Sequence, residues 1–119
     1  MIEKERRPWG YFSVLQRGDN YCVKELFIEP DMRISLQFHR YRTEDWVVVE
    51  GDGIVQVNQK EYPAIIRSHW VILPKELHRA TAGPNGLIFI ETQIGDCREE
   101  DIIRLEDDYG RLDSDVVSV

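Results

Sequence analysis

Gln37 and His39 stand two residues apart in the run Gln37-Phe38-His39-Arg40-Tyr41-Arg42-Thr43-Glu44-Asp45-Trp46, and His78 follows Pro74-Lys75-Glu76-Leu77 far downstream. Residues two apart on an extended strand project to the same face, so Gln37 and His39 share one, and Glu44 opens the next apolar run. Two imidazoles, a carboxylate and an amide oxygen make a nitrogen–oxygen set suited to Zn²⁺ or another divalent transition ion. The chain has only three histidines, which keeps this set narrow. The third, His69, lies in Arg67-Ser68-His69-Trp70 and reads as a strand-end surface residue. A histidine beside a glutamate is more often a surface pair, and one near a proline a loop residue, so spacing alone leaves both readings open.

These residues need rigid elements to hold them. Glycines and prolines punctuate short apolar runs at residues 11–16, 21–29, 34–40, 44–49, 54–58, 60–66, 70–73 and 87–94, a pattern of strands. Gly51-Asp52-Gly53 predicts a hairpin turn between two of them. After Gly95 the period changes: acids at Glu99, Glu100 and Asp101 precede Ile102, Ile103 and Leu105, and Gly110 is a stop, which predicts a short C-terminal helix. The tail 113–119 is expected to fray. Eight short strands must hide their edges, by closing into a barrel or packing as a two-sheet jelly roll. No helical segments lie between the strands, which excludes a parallel α/β fold.

Composition bounds the rest. The chain of 119 residues fits a single domain, 1–119. Its 15 basic and 22 acidic residues leave a net charge of −7. An acidic surface repels phosphate backbones, which makes nucleic acid and anionic membrane poor partners. An anionic small molecule remains a fit if the basic residues gather in one pocket. No apolar run approaches the roughly 18 residues that span a bilayer. The first residues, Met1-Ile2-Glu3-Lys4-Glu5-Arg6-Arg7, lack the apolar core of a signal peptide. Cys22 and Cys97 read as free thiols in a reducing cytoplasm, and the expectation is a cytoplasmic protein.

The run from Asp31 to Gly51 resembles the first cupin motif, and Pro74 to His78 the second. Beyond these, Arg7-Pro8-Trp9-Gly10-Tyr11, Arg33-Ile34-Ser35-Leu36-Gln37-Phe38-His39, Glu44-Asp45-Trp46, His78-Arg79, Glu91-Thr92-Gln93-Ile94-Gly95 and residues 101–111 resemble the C-terminal cupin domain of type II phosphomannose isomerases. That domain is often fused behind a mannose-1-phosphate guanylyltransferase domain, and here the resemblance spans Arg7 to Arg111. It implies an all-β, cupin-type jelly-roll barrel whose single divalent ion, Zn²⁺ first and Co²⁺, Mn²⁺, Ni²⁺ or Fe²⁺ as alternatives, is held by Gln37, His39, Glu44 and His78. The chain departs from the family's Gln-x-His-His-His-Arg-x-Glu-His-Trp pattern at Arg40, Tyr41 and Asp45. Asp31 replaces a glycine, Pro74-Lys75-Glu76 replaces a Pro-x-Gly turn, and Ala82 replaces an asparagine.

The resemblance further implies interconversion of mannose 6-phosphate and fructose 6-phosphate through a cis-enediol. That chemistry needs a base, cations for the phosphate, and charge stabilisation at the carbonyl. Glu91 shares a strand face with Phe89 and Gln93, and an inward carboxylate is costly without a task; it is the candidate base, with a buried ion pair as the competing reading. Lys24 and Arg79 are candidate catalytic cations. Arg33, Arg42, Arg40 and Tyr41 are candidate substrate-binding residues, the last two at the mouth. For each cation alone, a solvated surface charge competes. The alternative function is a degenerate cupin that binds metal or sugar phosphate without turnover, as a partner of a mannose-1-phosphate guanylyltransferase. An iron-dependent dioxygenase finds no support in the family-specific ends. The resemblance also implies a homodimer, with Tyr11 and Phe12 as a possible contact face.

Overall fold

The structure is a computed structural model in which residues 4–112 are described. Nine strands form: β1 (Lys4–Arg7), β2 (Gly10–Arg17), β3 (Tyr21–Ile28), β4 (Leu36–Phe38), β5 (Arg42–Val57), β6 (Lys60–Ala64), β7 (His69–Ile72), β8 (His78–Gly95) and β9 (Ile103–Glu106). All pairings between them are antiparallel. No helix long and apolar enough to cross a membrane is present among the described residues.

The two longest strands shape the fold. The first part of β5 pairs with the end of β8, from Arg42 opposite Gly95 to Gly51 opposite Leu87. The last part of β5 pairs with the start of β8, from Gly53 opposite Ala82 to Val57 opposite His78. β3, β2 and β1 extend from the end of β8, and β7 flanks the start of β5. β4 and β9 extend from the start of β8, and β6 flanks the end of β5. The result is an all-β, curled half-barrel of cupin type.

Period-two alternation builds the interior wall. Along β3 every second residue, Cys22, Lys24, Leu26 and Ile28, is buried. The register sets three inward rungs side by side across β5, β8 and β3: Val48–Phe89–Leu26, Trp46–Glu91–Lys24 and Glu44–Gln93–Cys22. The wall therefore grades from apolar to polar along its length. At the apolar end these residues join Trp9, Phe12 and Ile34 in one buried cluster. Each such side chain contributes about 1.5–3 kcal/mol on burial, which anchors the strands that carry the polar end.

Two expectations are corrected. Gly51-Asp52-Gly53 is not a hairpin turn: β5 runs through it, with register shifts between Val48 and Glu50 and between Gly51 and Gly53. The glycines serve close approach instead. A Cβ on Gly51 would lie 2.1 Å from the Gly86 carbonyl oxygen, and Gly51 has φ +83°. Second, the C-terminal helix does not form; no described residue is helical, and Ile103–Glu106 is a strand paired with β4. Ile102 and Leu105 keep a three-residue helical spacing over only one turn, and the edge of β4 offers backbone partners that the segment takes instead. The fraying tail lies outside the described residues. Phe12 faces the core rather than a partner surface.

Asp31 has φ 62°, and the Met32 N–H donates to the Glu29 carbonyl across Pro30-Asp31. Proline followed by a left-handed residue is the requirement of a tight turn that favours glycine in the third place. The aspartate that departs from the family glycine thus keeps the turn in a conformation disfavoured for side chains.

Gly51→Ala adds both a steric clash and a left-handed alanine, so it should destabilise by about 2 kcal/mol or more. In thermal unfolding that is a fall of about 10 °C; an unchanged midpoint would show that β5 and β8 can separate at this crossing.

Candidate metal centre and adjoining cavity

His39, Glu44 and His78 converge from three places in the chain: just beyond β4, the start of β5 and the start of β8. One ligand-type atom from each lies within 4.8 Å of the others, and all three side chains are buried. The His39 Nδ1 is 3.4 Å from Glu44 Oε2, and the His78 Nε2 is 3.6 Å from Glu44 Oε1. Metal–ligand bonds of about 2.0–2.1 Å in a tetrahedron put neighbouring ligand atoms about 3.3 Å apart. The spacing matches that edge and exceeds that of a charge-assisted hydrogen bond.

Protonation supports the same reading. Burial, followed by the neighbouring His78, pushes His39 far below its ordinary value. Burial pulls His78 down to about 4. Both rings are therefore neutral at pH 7. The His78 Nδ1 lies 2.9 Å from the Glu76 carbonyl and donates to it, which leaves the Nε2 lone pair facing Glu44. Among the described residues neither His39 Nε2 nor His78 Nε2 has a hydrogen-bond partner, and for His78 that nitrogen is the one that faces Glu44. A lone pair aimed at a carboxylate oxygen in a dry interior is repulsive unless a cation stands between them. The residues fit a divalent ion.

Gln37, the fourth residue of the sequence-derived set, sits opposite His78 in the ladder, and its Oε1 accepts a hydrogen bond from Ser35 Oγ at 2.6 Å. One lone pair of that oxygen remains.

Around Glu44 lies a second layer of partners. Arg42 Nε donates to Glu44 Oε2 at 2.8 Å, and its Nη1 donates to the carbonyls of Arg98 at 3.0 Å and Asp96 at 3.4 Å. Trp46 Nε1 lies 3.0 Å from both Glu44 Oε1 and Glu91 Oε1, one donor shared by two carboxylates. Gln93 Nε2 donates to the other Glu91 oxygen at 2.7 Å. Burial first, and then the Glu44 charge, push Glu91 up to about 8. Glu91 thus keeps its proton past neutrality, poised for proton transfer.

A cavity adjoins the cluster, with Gln37, Arg42, Glu91 and Gln93 on its inner side and Lys24 and Phe12 on its wall. His39, Glu44 and His78 do not line it; Arg42, bonded to Glu44, and Glu91, which shares the Trp46 indole N–H with Glu44, connect the two. The structure therefore brings together Lys24, Gln37, Arg42 and Glu91. Other candidate residues stand elsewhere. Arg79 is buried, donating to the Ile34 carbonyl and the Glu106 carboxylate, and ties β8 to β9. Arg33 is bidentate to Asp108 near the chain's end. Tyr41 is 64% exposed and Arg40 is exposed, and their backbone N–H groups both donate to the Asp101 carboxylate. Asp45 has the parity of the outer face, away from the cavity. His69 is exposed, as expected.

Trp46, Gln93, Arg7 and Glu99 carry site interactions that the sequence reading did not assign. The signal for Trp46 was its parity with Glu44 together with the need of a buried indole N–H for an acceptor. Arg7 and Glu99 meet only through the fold, and no local pattern marks them.

Comparison with known proteins follows from this geometry. The family model described as "Mannose-6-phosphate isomerase C-terminal" matches residues 1–107. The chain is 38% identical over 107 residues to the alginate biosynthesis protein AlgA of Pseudomonas aeruginosa, covering 88% of this chain and 22% of that protein. It is 36% identical over 110 residues to a mannose-1-phosphate guanylyltransferase of Salmonella muenchen, covering 90% of this chain and 23% of that protein. It thus spans less than a quarter of the length of these relatives. Among solved structures it superposes on an RmlC-like cupin from Shewanella frigidimarina with a TM-score of 0.75 at 22% identity, covering 83% of this chain and 87% of that one. The capsular polysaccharide assembling protein CapF from Staphylococcus aureus gives a TM-score of 0.78 at 17% identity, covering 89% and 33%. These likenesses show a cupin fold.

Protein purified without chelator should carry near-stoichiometric metal by elemental analysis, and His39→Ala and His78→Ala should each lose it; full retention in both would exclude this centre. The metal-free protein should also show two opposed pH limbs. Below about 6.5 the unfolded chain takes up histidine protons that the native state refuses, so stability falls as pH drops, for His78 down to about 4. Native Glu91 holds a proton that the unfolded chain releases near 4.5, so its contribution is lost as pH rises from there to about 8. Between about 6.5 and 8 only the second limb remains, and Glu91→Gln should flatten it in thermal melts. A decline of equal slope in Glu91→Gln would assign that limb to another group.

Proposed function

The chain belongs to the family of mannose-6-phosphate isomerase C-terminal domains, and on that premise we propose that it is a metal-dependent sugar-phosphate isomerase interconverting mannose 6-phosphate and fructose 6-phosphate. The observation that carries this reading is the buried His39–Glu44–His78 cluster backing a cavity that holds both Glu91 and Lys24. Aldose–ketose isomerisation moves one proton between C1 and C2 while negative charge develops on the neighbouring oxygens. A divalent ion held by His39, Glu44 and His78, with Gln37 as the fourth ligand, would supply positive charge for those oxygens. Zn²⁺ is the ion we favour, because two imidazoles and a carboxylate suit it.

The chain's own groups do the rest. Glu91, held on both oxygens by Trp46 and Gln93, is the group that takes and returns the proton; a divalent ion held by Glu44 would offset the Glu44 charge that raises Glu91, leaving its carboxylate available as the base. Lys24, its direct neighbour across the ladder, adds a positive charge to the same cavity. Arg42 fixes Glu44 so that the ligand set is preorganised. Arg79 and Arg33 act at a distance, by holding the strands around Ile34 and the residues near 108. Trp9 and Phe12 keep one wall of the cavity apolar and limit water.

The second reading, a cupin that binds metal or sugar phosphate without turnover beside a mannose-1-phosphate guanylyltransferase, draws on Arg40, Tyr41 and Asp45, which replace family histidines. Tyr41 and Arg40 are exposed and Asp45 faces outward, which favours the isomerase. We further propose that the protein works in the cytoplasm as a homodimer. The contact we favour is the outer face around Val47, Val49, Val71 and Leu73, where apolar side chains are exposed.

A coupled assay on mannose 6-phosphate with added Zn²⁺, Co²⁺ or Mn²⁺ should show turnover that chelation abolishes; none with any metal present would reject the isomerase. Glu91→Gln should lower kcat by about a hundredfold or more, the usual share of a general base. Restoring the family histidines by Arg40→His, Tyr41→His and Asp45→His should change turnover by less than about tenfold, roughly 1.4 kcal/mol of barrier. A larger rise would favour the binding module.

A further inference from the structure

Lys24 is the anomaly of the interior wall. Its side chain is 4% exposed, yet its only ion-pair partner among the described residues is Glu99, at 3.5 Å, and Glu99 is 46% exposed. The Arg7 guanidinium, through a nitrogen that also pairs with the exposed Glu5 carboxylate at 3.2 Å, lies 3.6 Å from the other oxygen of the Glu99 carboxylate. Both cations pack on the Phe12 ring, with Lys24 Nζ 4.6 Å and Arg7 Cζ 4.8 Å from its centroid. All four residues line the same cavity. A buried ammonium needs close, strong acceptors to offset its desolvation, and a long contact to a half-solvated carboxylate is a weak one.

The segment that carries Glu99 is nevertheless held in place. Arg42 donates to the carbonyls of Asp96 and Arg98 on one side of it. On the other, the Asp101 carboxylate accepts the backbone N–H groups of Arg40 and Tyr41. The backbone is pinned at both ends, so the Glu99 side chain can rotate toward solvent without moving the segment. Elsewhere on the cavity's lining, Arg42 is committed to Glu44 and Arg111 to Asp107.

We infer that Lys24 and Arg7, on the Phe12 ring, form the subsite for a phosphate monoester dianion, and that Glu99 is its resident carboxylate, which the phosphate displaces. Identifying the dianion with the sugar phosphate rests on the isomerase reading; the anion site itself does not. A dianion brings twice the charge of the carboxylate and three acceptor oxygens, enough to satisfy the Lys24 ammonium and the Arg7 fork together. Glu99 keeps the cations paired while the site is empty, and it sets a threshold that monoanions and neutral sugars do not cross.

The test is a calorimetric titration of the metal-free full chain with inorganic phosphate, a probe that needs neither metal nor turnover. Glu99→Gln removes the competing charge and should tighten the phosphate Kd by about tenfold, roughly 1.4 kcal/mol. Arg7→Gln and Lys24→Gln should each weaken it by about tenfold or more. Should Lys24→Gln fail to fold, the half-exposed Arg7 position and Glu99→Gln still decide the matter. Equal or weaker phosphate binding in Glu99→Gln, wild-type binding in Arg7→Gln, or no binding in either wild type or Glu99→Gln overturns the inference. The expected pattern without turnover of mannose 6-phosphate would leave the subsite standing and reject the isomerase. Turnover in wild type without the pattern would do the reverse.

Discussion

Glu44 is a carboxylate with 1% exposure, and the rest of the site is arranged around the cost of keeping it there. An isolated ion in such surroundings would be unstable by many kcal/mol. Arg42 answers with a guanidinium, Trp46 with an indole N–H, and two neutral imidazoles stand with nitrogens toward its oxygens. None of these partners can be supplied by a loop that moves. They come from adjacent places on β5, from the start of β8 and from the residue after β4, so the requirement for satisfied polarity becomes a requirement for accurate strand register.

The long strands meet that requirement. Because β5 and β8 pair along both of their halves, the register that aligns Val48 with Phe89 in the apolar part is continuous with the one that aligns Glu44 with Gln93. Hydrophobic burial at one end of the wall thus positions polar chemistry at the other. The glycines at 51 and 53 let the β5 backbone pass close to the Gly86 and Thr81 carbonyls of β8, and the start of β8 carries His78 beside the β4 edge. Packing energy and the geometry of the polar cluster are two ends of one ladder.

Much of this was legible in residue order. Alternation placed β2, β3, β4, β6 and β7 close to their observed positions, split β5 in two and found only the second half of β8, and the two-residue spacing of Gln37 and His39, with Glu44 and His78, marked the cluster. The inward direction of Glu91 followed from its parity with Phe89. What escaped depended on contacts remote in sequence. Ile103–Glu106 became a strand because β4 offered an edge to pair with. Gly51-Asp52-Gly53 has the composition of a turn, and only the proximity of Gly86 gives it another use. Trp46 has the apolar bulk of a core residue, while its single N–H does the electrostatic work. The pairing of Arg7 with Glu99 has no local signature, since it spans nearly the whole chain.

The alternating rungs of β5 also have a meaning in the language of inheritance. Its side chains sit in or out by parity alone, so the strand is written in units of two. Exchange of one outward residue, such as Asp45 or Val47, alters a single place on the surface. Loss of one codon between Glu44 and Val48 would instead reverse parity on one side of the gap, turning either Glu44 or the pair Trp46 and Val48 out into water. The wall tolerates drift in its outer letters but has almost no tolerance for a change in their number. Homologues that keep this site should therefore vary at residues 43, 45 and 47 long before they vary in the spacing from 42 to 48.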